Sequence, residues 1–209
     1  MRKLALVFIS ACILLVNAIG FAKPLPPNPE VRLQLTTLSI NLTIMGSAMA
    51  TPEQCVRYAK QRNPFPLITV PLEQLVETYY QEGAIEGIRP DVAFAQALHE
   101  TGFFRYGGDV NPLQNNYCGL GATGSKAKGQ YFANSRLGVR AQMQHLLAYA
   151  STAAPKRAIV DPRYQNVKAS PWFGQARTWT ALNGKWAVPG RTYGQTILRI
   201  HREILETKL

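Results

Sequence analysis

Glu100 closes the run Asp91-Val-Ala-Phe-Ala-Gln-Ala-Leu-His-Glu100, in which almost everything before the acid is small or apolar; Thr101-Gly102 follows it. If that run is a helix inside a core, its last carboxylate is poorly solvated and lies at the negative end of the helix dipole. Both effects favour the neutral acid. A carboxyl group that keeps its proton near neutral pH is what a general acid needs.

Other chemistries fit less well. His99-Glu100 opens like the zinc-protease pattern HExxH, but its fifth position is Phe103, and only His145 and His201 remain in the chain. No Gly-x-Ser-x-Gly elbow occurs, and Cys118 has no neighbouring base in sequence. Neither a metal nor a cofactor is expected. Just downstream lies a set of side chains suited to sugars: Asn115, Asn116, Tyr117, Tyr131 and Phe132. Amides bond hydroxyl and acetamido groups, and aromatic faces stack on pyranose rings. Asn115-Asn116 as a turn and Tyr117 as core are the ordinary alternatives.

The elements that must hold these residues can be read from periodicity and punctuation. Thr51-Pro52-Glu53-Gln54 has the form of a capping box, predicting a helix to about Gln61 that Asn63-Pro-Phe-Pro66 breaks. A second helix opens at Pro71 with Leu72, Leu75, Val76 and Tyr79 on one face, and Gly83 and Gly87 mark a fraying end. The third, from Pro90 to about Phe103, carries Glu100. From Tyr106 to Ser135, glycines punctuate a segment with no helical period, as short strands or loops would require. A fourth helix, Arg136 to Ala150, has Val139, Met143, Leu146, Leu147 and Ala150 in register. Gln144, His145 and Tyr149 share one side of it. Asp161 to Gly190 is irregular and holds the three tryptophans; Trp186 reads as a sugar platform or a plug of the core. The last helix starts at a second capping box, Thr192-Tyr-Gly-Gln195, and buries Tyr193, Ile197, Ile200 and Ile204.

The chain has 209 residues and a formal charge of +11. From Thr51 onward 19 Lys and Arg stand against 11 Asp and Glu, so a surplus of eight stays with the folded part. Anionic partners follow, among them acidic wall polymers; with no basic block or stripe, nucleic acid is not expected. Residues 1–22 have the form of an export signal: Arg2 and Lys3, an apolar stretch from Leu4, then Gly20-Phe21-Ala22. Leu4 to Ala22 is also near spanning length, so an uncleaved anchor is the alternative and the sole route to a membrane. Either way the domain ends in the cell envelope or outside it. Residues 23–50 form a proline-rich and then Thr/Ser-rich lead-in that could pack on the domain, 51–209. Cys55 and Cys118 allow one disulfide or two buried thiols.

Asp91 to Phe104, then Gln114-Asn-Asn-Tyr-Cys-Gly-Leu-Gly121, resemble bacterial N-acetylglucosaminidase domains of glycoside hydrolase family 73. Gly138 to Ser151, Asp161-Pro-Arg163 and Gly184-Lys-Trp-Ala-Val-Pro-Gly190 extend the resemblance from about Thr51 to Glu206. It implies an α+β, lysozyme-like fold, with a mainly helical lobe and a small β-lobe flanking a groove. It also implies a monomer that binds peptidoglycan glycan strands and cleaves the β-1,4 bond between N-acetylglucosamine and N-acetylmuramic acid. Glu100 matches the family's acid. Asn115, Asn116 and Tyr117 are then expected to line the groove, Gln144, His145 and Tyr149 to face it, and Tyr131 to stabilise the transition state. Many members carry a second acid in the β-lobe, whereas here no Asp or Glu lies between Asn111 and Val160. Asp109 is the nearest candidate; attack by the substrate's own acetamido group, or a water held by Tyr117 or Tyr131, are the alternatives. A lytic transglycosylase and a non-catalytic wall-binding protein remain as other readings.

Overall fold

The computed structural model describes residues 42–122 and 128–209; the expected leader, Cys12 and most of the lead-in lie outside them. Six α-helices organise the described chain: α1 Pro52–Arg62, α2 Leu72–Glu86, α3 Pro90–Glu100, α4 Ser135–Ala150, α5 Tyr164–Lys168 and α6 Tyr193–Leu205. Two 3₁₀ turns, Pro112–Gln114 and Thr180–Leu182, lie in the connections. Every residue of α3 from Pro90 to Leu98 is buried, as expected of a helix that is apolar all round. It is walled by α1, α2 and α6, and α4 packs on α2.

The N-terminal capping box forms as the sequence predicts: the Gln54 amide donates to Thr51 Oγ1 and Thr51 N donates to Gln54 Oε1. The second does not. Thr192 makes no side-chain cap, and Gln195 Oε1 accepts from Asn183 Nδ2. Asn183 Oδ1 takes the Gly194 amide at 2.8 Å instead, so the start of α6 is capped from a distant turn. In α2 the fraying expected at Gly83 is absent: the helix continues to Glu86 and stops where Gly87 adopts φ +75°, a left-handed C-cap suited to glycine.

The lead-in becomes part of the fold by Leu42. Ile44 is fully buried, its amide donates to Arg177 O and its carbonyl accepts from Arg89 N. Asp91 Oδ2 accepts from Met49 N, Ala50 N and His201 Nε2 at 2.8, 2.9 and 2.8 Å. The compact unit therefore starts before Thr51, because a buried carboxylate in α3 needs the lead-in's amides.

Among the described residues the β-structure is limited to isolated bridges, one of them, Ala122 with Lys128, inside the glycine-rich insert. The chain is mostly helical with few strand pairings, consistent with a lysozyme-like glucosaminidase domain. The insert is pinned against α4 at Gly138, where an added Cβ would fall 1.8 Å from Asn115 O; only glycine permits that approach. Cys55 and Cys118 are separate buried thiols.

Candidate active site

Glu100 is the last residue of α3, three positions before the end the sequence suggested. Thr101 stops the helix by turning its hydroxyl back to Ala97 O at 2.7 Å while accepting the Phe104 amide at 3.0 Å. Gly102, Phe103 and Phe104 then all take φ +58°. Left-handed phenylalanines cost about 1–2 kcal/mol each and persist only where the surroundings fix them. Here Phe104 is fully buried, against Phe94 and Tyr117, and Asn63 Nδ2 holds Phe103 O at 2.8 Å. The reversal leaves the Glu100 side chain at the edge of the core, facing outwards.

There it forms one wall of a cavity of about 220 Å³, shared with Thr101, Gly102, Tyr106, Asp109, Asn116 and Gly119 among others. The two carboxyl oxygens are treated differently. Oε1 accepts from Trp186 Nε1 at 3.1 Å and from the Tyr193 hydroxyl. Oε2 has no such donor among the described residues and lies toward Gly119, 3.8 Å from where a Cβ would stand. Burial raises the Glu100 pKa above its ordinary 4.5, and the Tyr193 and Trp186 donors offset only part of that. When the carboxyl is protonated, its proton is best placed on Oε2, because Oε1 already accepts from two donors. Trp186 is in turn fixed: His145 meets its ring edge-on at 4.9 Å, Tyr149 lies 5.8 Å away, and Tyr193 stacks parallel at 6.4 Å.

The structure sorts the expected sugar-binding residues. Asn116 and Asp109 reach the cavity wall with Glu100. The Asn116 amide is committed, however: Nδ2 donates to Leu120 O and Gln130 O and Oδ1 accepts the Leu120 amide, a clasp that sets the Gly119 loop in front of the acid. Asn115 is buried and bonds Phe132 O, Thr69 and Tyr117. Tyr117 is core, 1% exposed, and is not on the cavity wall. Tyr131 is 64% exposed, touches Asn111 and is absent from the cavity wall.

Gln144, His145 and Tyr149 do not reach the cavity either. Gln144 holds the 158–161 backbone, His145 Nδ1 bonds Asp161 at 2.7 Å, and Tyr149 donates to Lys185 O. Their side of α4 faces Trp186 and its loop. Sequence reasoning missed Tyr193 and left Trp186 undecided; Tyr193 reads as an ordinary apolar repeat position, and nothing local pairs either with Glu100. Among the described residues no three His, Cys, Asp or Glu side chains come together as metal ligands would.

The helical fold is consistent with the family comparison. Residues 76–206 match the model of the glucosaminidase family, mannosyl-glycoprotein endo-beta-N-acetylglucosaminidase, and the chain belongs to that family. Membership supports, in the broad sense, a glycoside hydrolase acting on peptidoglycan. The chain is also similar to an uncharacterized protein of Borreliella burgdorferi, 39% identical over 154 residues, covering 74% of this chain and 72% of the relative. No solved structure matches it.

Proposed function

We propose that the protein is an endo-β-N-acetylglucosaminidase that cuts the β-1,4 bond between N-acetylglucosamine and N-acetylmuramic acid, with Glu100 as general acid. The observation that carries the reading is the asymmetry of Glu100: a shielded carboxyl whose donors among the described residues all reach Oε1, while Oε2 lies toward Gly119, which lines the cavity. Oε2–H protonates the glycosidic oxygen as the bond to the anomeric carbon breaks, leaving a carboxylate that Tyr193 and Trp186 already solvate.

The electron-deficient sugar is then captured from its other side. Its own acetamido oxygen can do this, an exception the two-carboxylate scheme admits, and Asp109, the other acid on the cavity wall, is placed to orient that group or a water. The buried Tyr117 and the outlying Tyr131 are unsuited to either task. The positive surplus of the folded part suits a polyanionic wall, and the N-terminal sequence suits export to it.

Glu100→Gln should abolish release of reducing ends from purified peptidoglycan while circular dichroism stays unchanged; an active Glu100→Gln protein would end the reading. Mass spectrometry of the products identifies the bond: reducing N-acetylglucosamine ends are expected. Anhydro-muramic ends would indicate a lytic transglycosylase instead, and no cleavage at all a wall-binding protein.

A further inference from the structure

Behind Glu100 a line of buried hydrogen bonds crosses the core. Tyr79 donates to Gln142 Oε1 at 2.6 Å; Gln142 Nε2 donates to Gln96 Oε1 at 2.8 Å; Gln96 Nε2 donates to the Tyr193 oxygen at 2.8 Å; Tyr193 donates to Glu100 Oε1. Tyr79, Gln96 and Gln142 are fully buried and Tyr193 nearly so. Two glutamines in an apolar core are costly unless every polar atom has a partner, and here each does.

The direction of this line is not free to reverse. Gln142 Nε2 also donates to Ala93 O at 3.0 Å, and a backbone carbonyl can only accept. That contact fixes which end of the Gln142 amide is nitrogen. Its second N–H then requires the Gln96 oxygen, which turns the Gln96 nitrogen toward Tyr193. A tyrosine oxygen that accepts from Gln96 has its single proton left for Glu100. Trp186 Nε1, a pure donor, reaches the same Oε1.

We infer that Gln96 and Gln142 are positioning residues that aim the Tyr193 proton at Glu100 Oε1 and so confine the acid's own proton to Oε2, the oxygen facing the substrate. Neither glutamine touches the cavity. This inference rests on Glu100 being the general acid. A Tyr193 free to rotate would accept from a proton on Oε1, storing the acid's proton in an unproductive place. The other groups around Glu100 do not supply such a donor: Cys118 has a thiol pKa raised by burial and by Glu100, Asp109 is an acid on the same cavity wall, His99 meets Tyr193 by a tilted ring contact at 5.7 Å, with its pKa lowered by burial and Arg199, and the His145–Asp161 pair reaches Glu100 through Trp186.

The test is a set of pH–rate profiles on soluble peptidoglycan fragments. Gln96→Leu should lower kcat by about tenfold, the worth of one buried hydrogen bond, leave KM unchanged, and move the alkaline limb of kcat/KM to higher pH, because a weaker Tyr193 donor holds the carboxylate less well. Gln96→Glu, buried and therefore protonated, offers a C=O to Gln142 and an O–H to Tyr193. It should restore kcat at low pH and lose it as its own carboxyl ionises and draws the Tyr193 proton away. If Gln96→Leu does not fold, Gln96→Glu carries the test alone. Either profile overlaying the wild type overturns the inference while Glu100→Gln remains inactive; an active Glu100→Gln protein would remove the underlying reading instead.

Discussion

The two ends of α3 each hold a shielded carboxylate, and the protein treats them in opposite ways. Asp91, in the first turn, collects two backbone amides and His201 on Oδ2 while the Val92 amide meets Oδ1. Burial alone would raise its pKa, but the His201 bond and charge and the amides from Ala50 and Met49 outweigh it and hold Asp91 below its usual 3.8. Glu100, at the last residue, has two neutral donors on one oxygen, no positive partner among the described residues, and a pKa above 4.5. The helix dipole works in the same sense, favouring the anion at the N-terminus and opposing it at the C-terminus. Burial is therefore a poor guide to charge state; the number and sign of the donors decide it, and the same helix can carry carboxyls shifted in opposite directions nine residues apart.

The sharpest way to break the comparison is to exchange each acid for a neutral residue. Glu100→Gln should lose at least about a thousandfold in turnover without losing stability. Because folding raises the Glu100 pKa, its contribution is intact below pH 4.5 and declines as pH rises through the raised value. Urea unfolding should therefore show the variant more stable than wild type by about 1 kcal/mol at pH 8, with the gain vanishing at pH 4. Asp91→Ala should do the reverse: about 3 kcal/mol less stability, from stranding His201 and two lead-in amides, with turnover per folded molecule unchanged.

The acid side of the stability profile sharpens the contrast. The depressed Asp91 pKa means that its contribution is present above about pH 4 and drains away as pH falls through the lower folded value. Wild type and Asp91→Asn should converge in stability at low pH; a gap constant from pH 7 down to pH 2 would show that the Asp91 charge does not matter. At the other end, Trp186→Phe keeps a ring beside His145 and Tyr149 but drops one donor to Glu100. A several-fold fall in kcat and a shift of the alkaline limb to higher pH are expected. Asp109→Asn should have the smallest effect on hydrolysis; a loss equal to that of Glu100→Gln would make Asp109 the catalytic partner and exclude capture by the acetamido group alone.

These differences also explain what the sequence could and could not reveal. The helices at 52–62, 72–86, 135–150 and 193–205 follow apolar periodicity, a local property, and were legible to within a few residues. The early stop of α3 was not, since it depends on Thr101 bonding Ala97 and on Phe104 finding a pocket in the core. Glu100 could be singled out because an acid after nine buried residues is rare in any pattern. Its partners could not, because Trp186 and Tyr193 lie 86 and 93 positions away and look like ordinary core residues. Asn115, Tyr117, Gln144, His145 and Tyr149 lie off the cavity wall. Their chemistry suits sugars, but it is spent on loop backbone, on packing and on holding Trp186.

The distance along the chain between Glu100 and its donors has a consequence for how the molecule comes into being. While the first half is emerging during synthesis, Glu100 is an ordinary titrating side chain with nothing to hold or aim its proton. Only when α6 docks against α3 does the carboxyl acquire Tyr193, and with it the line of glutamines behind. Chains cut short before Trp186 carry Glu100 without the donors that tune it, so on the proposed reading its competence waits for residues 86 and 93 positions further along.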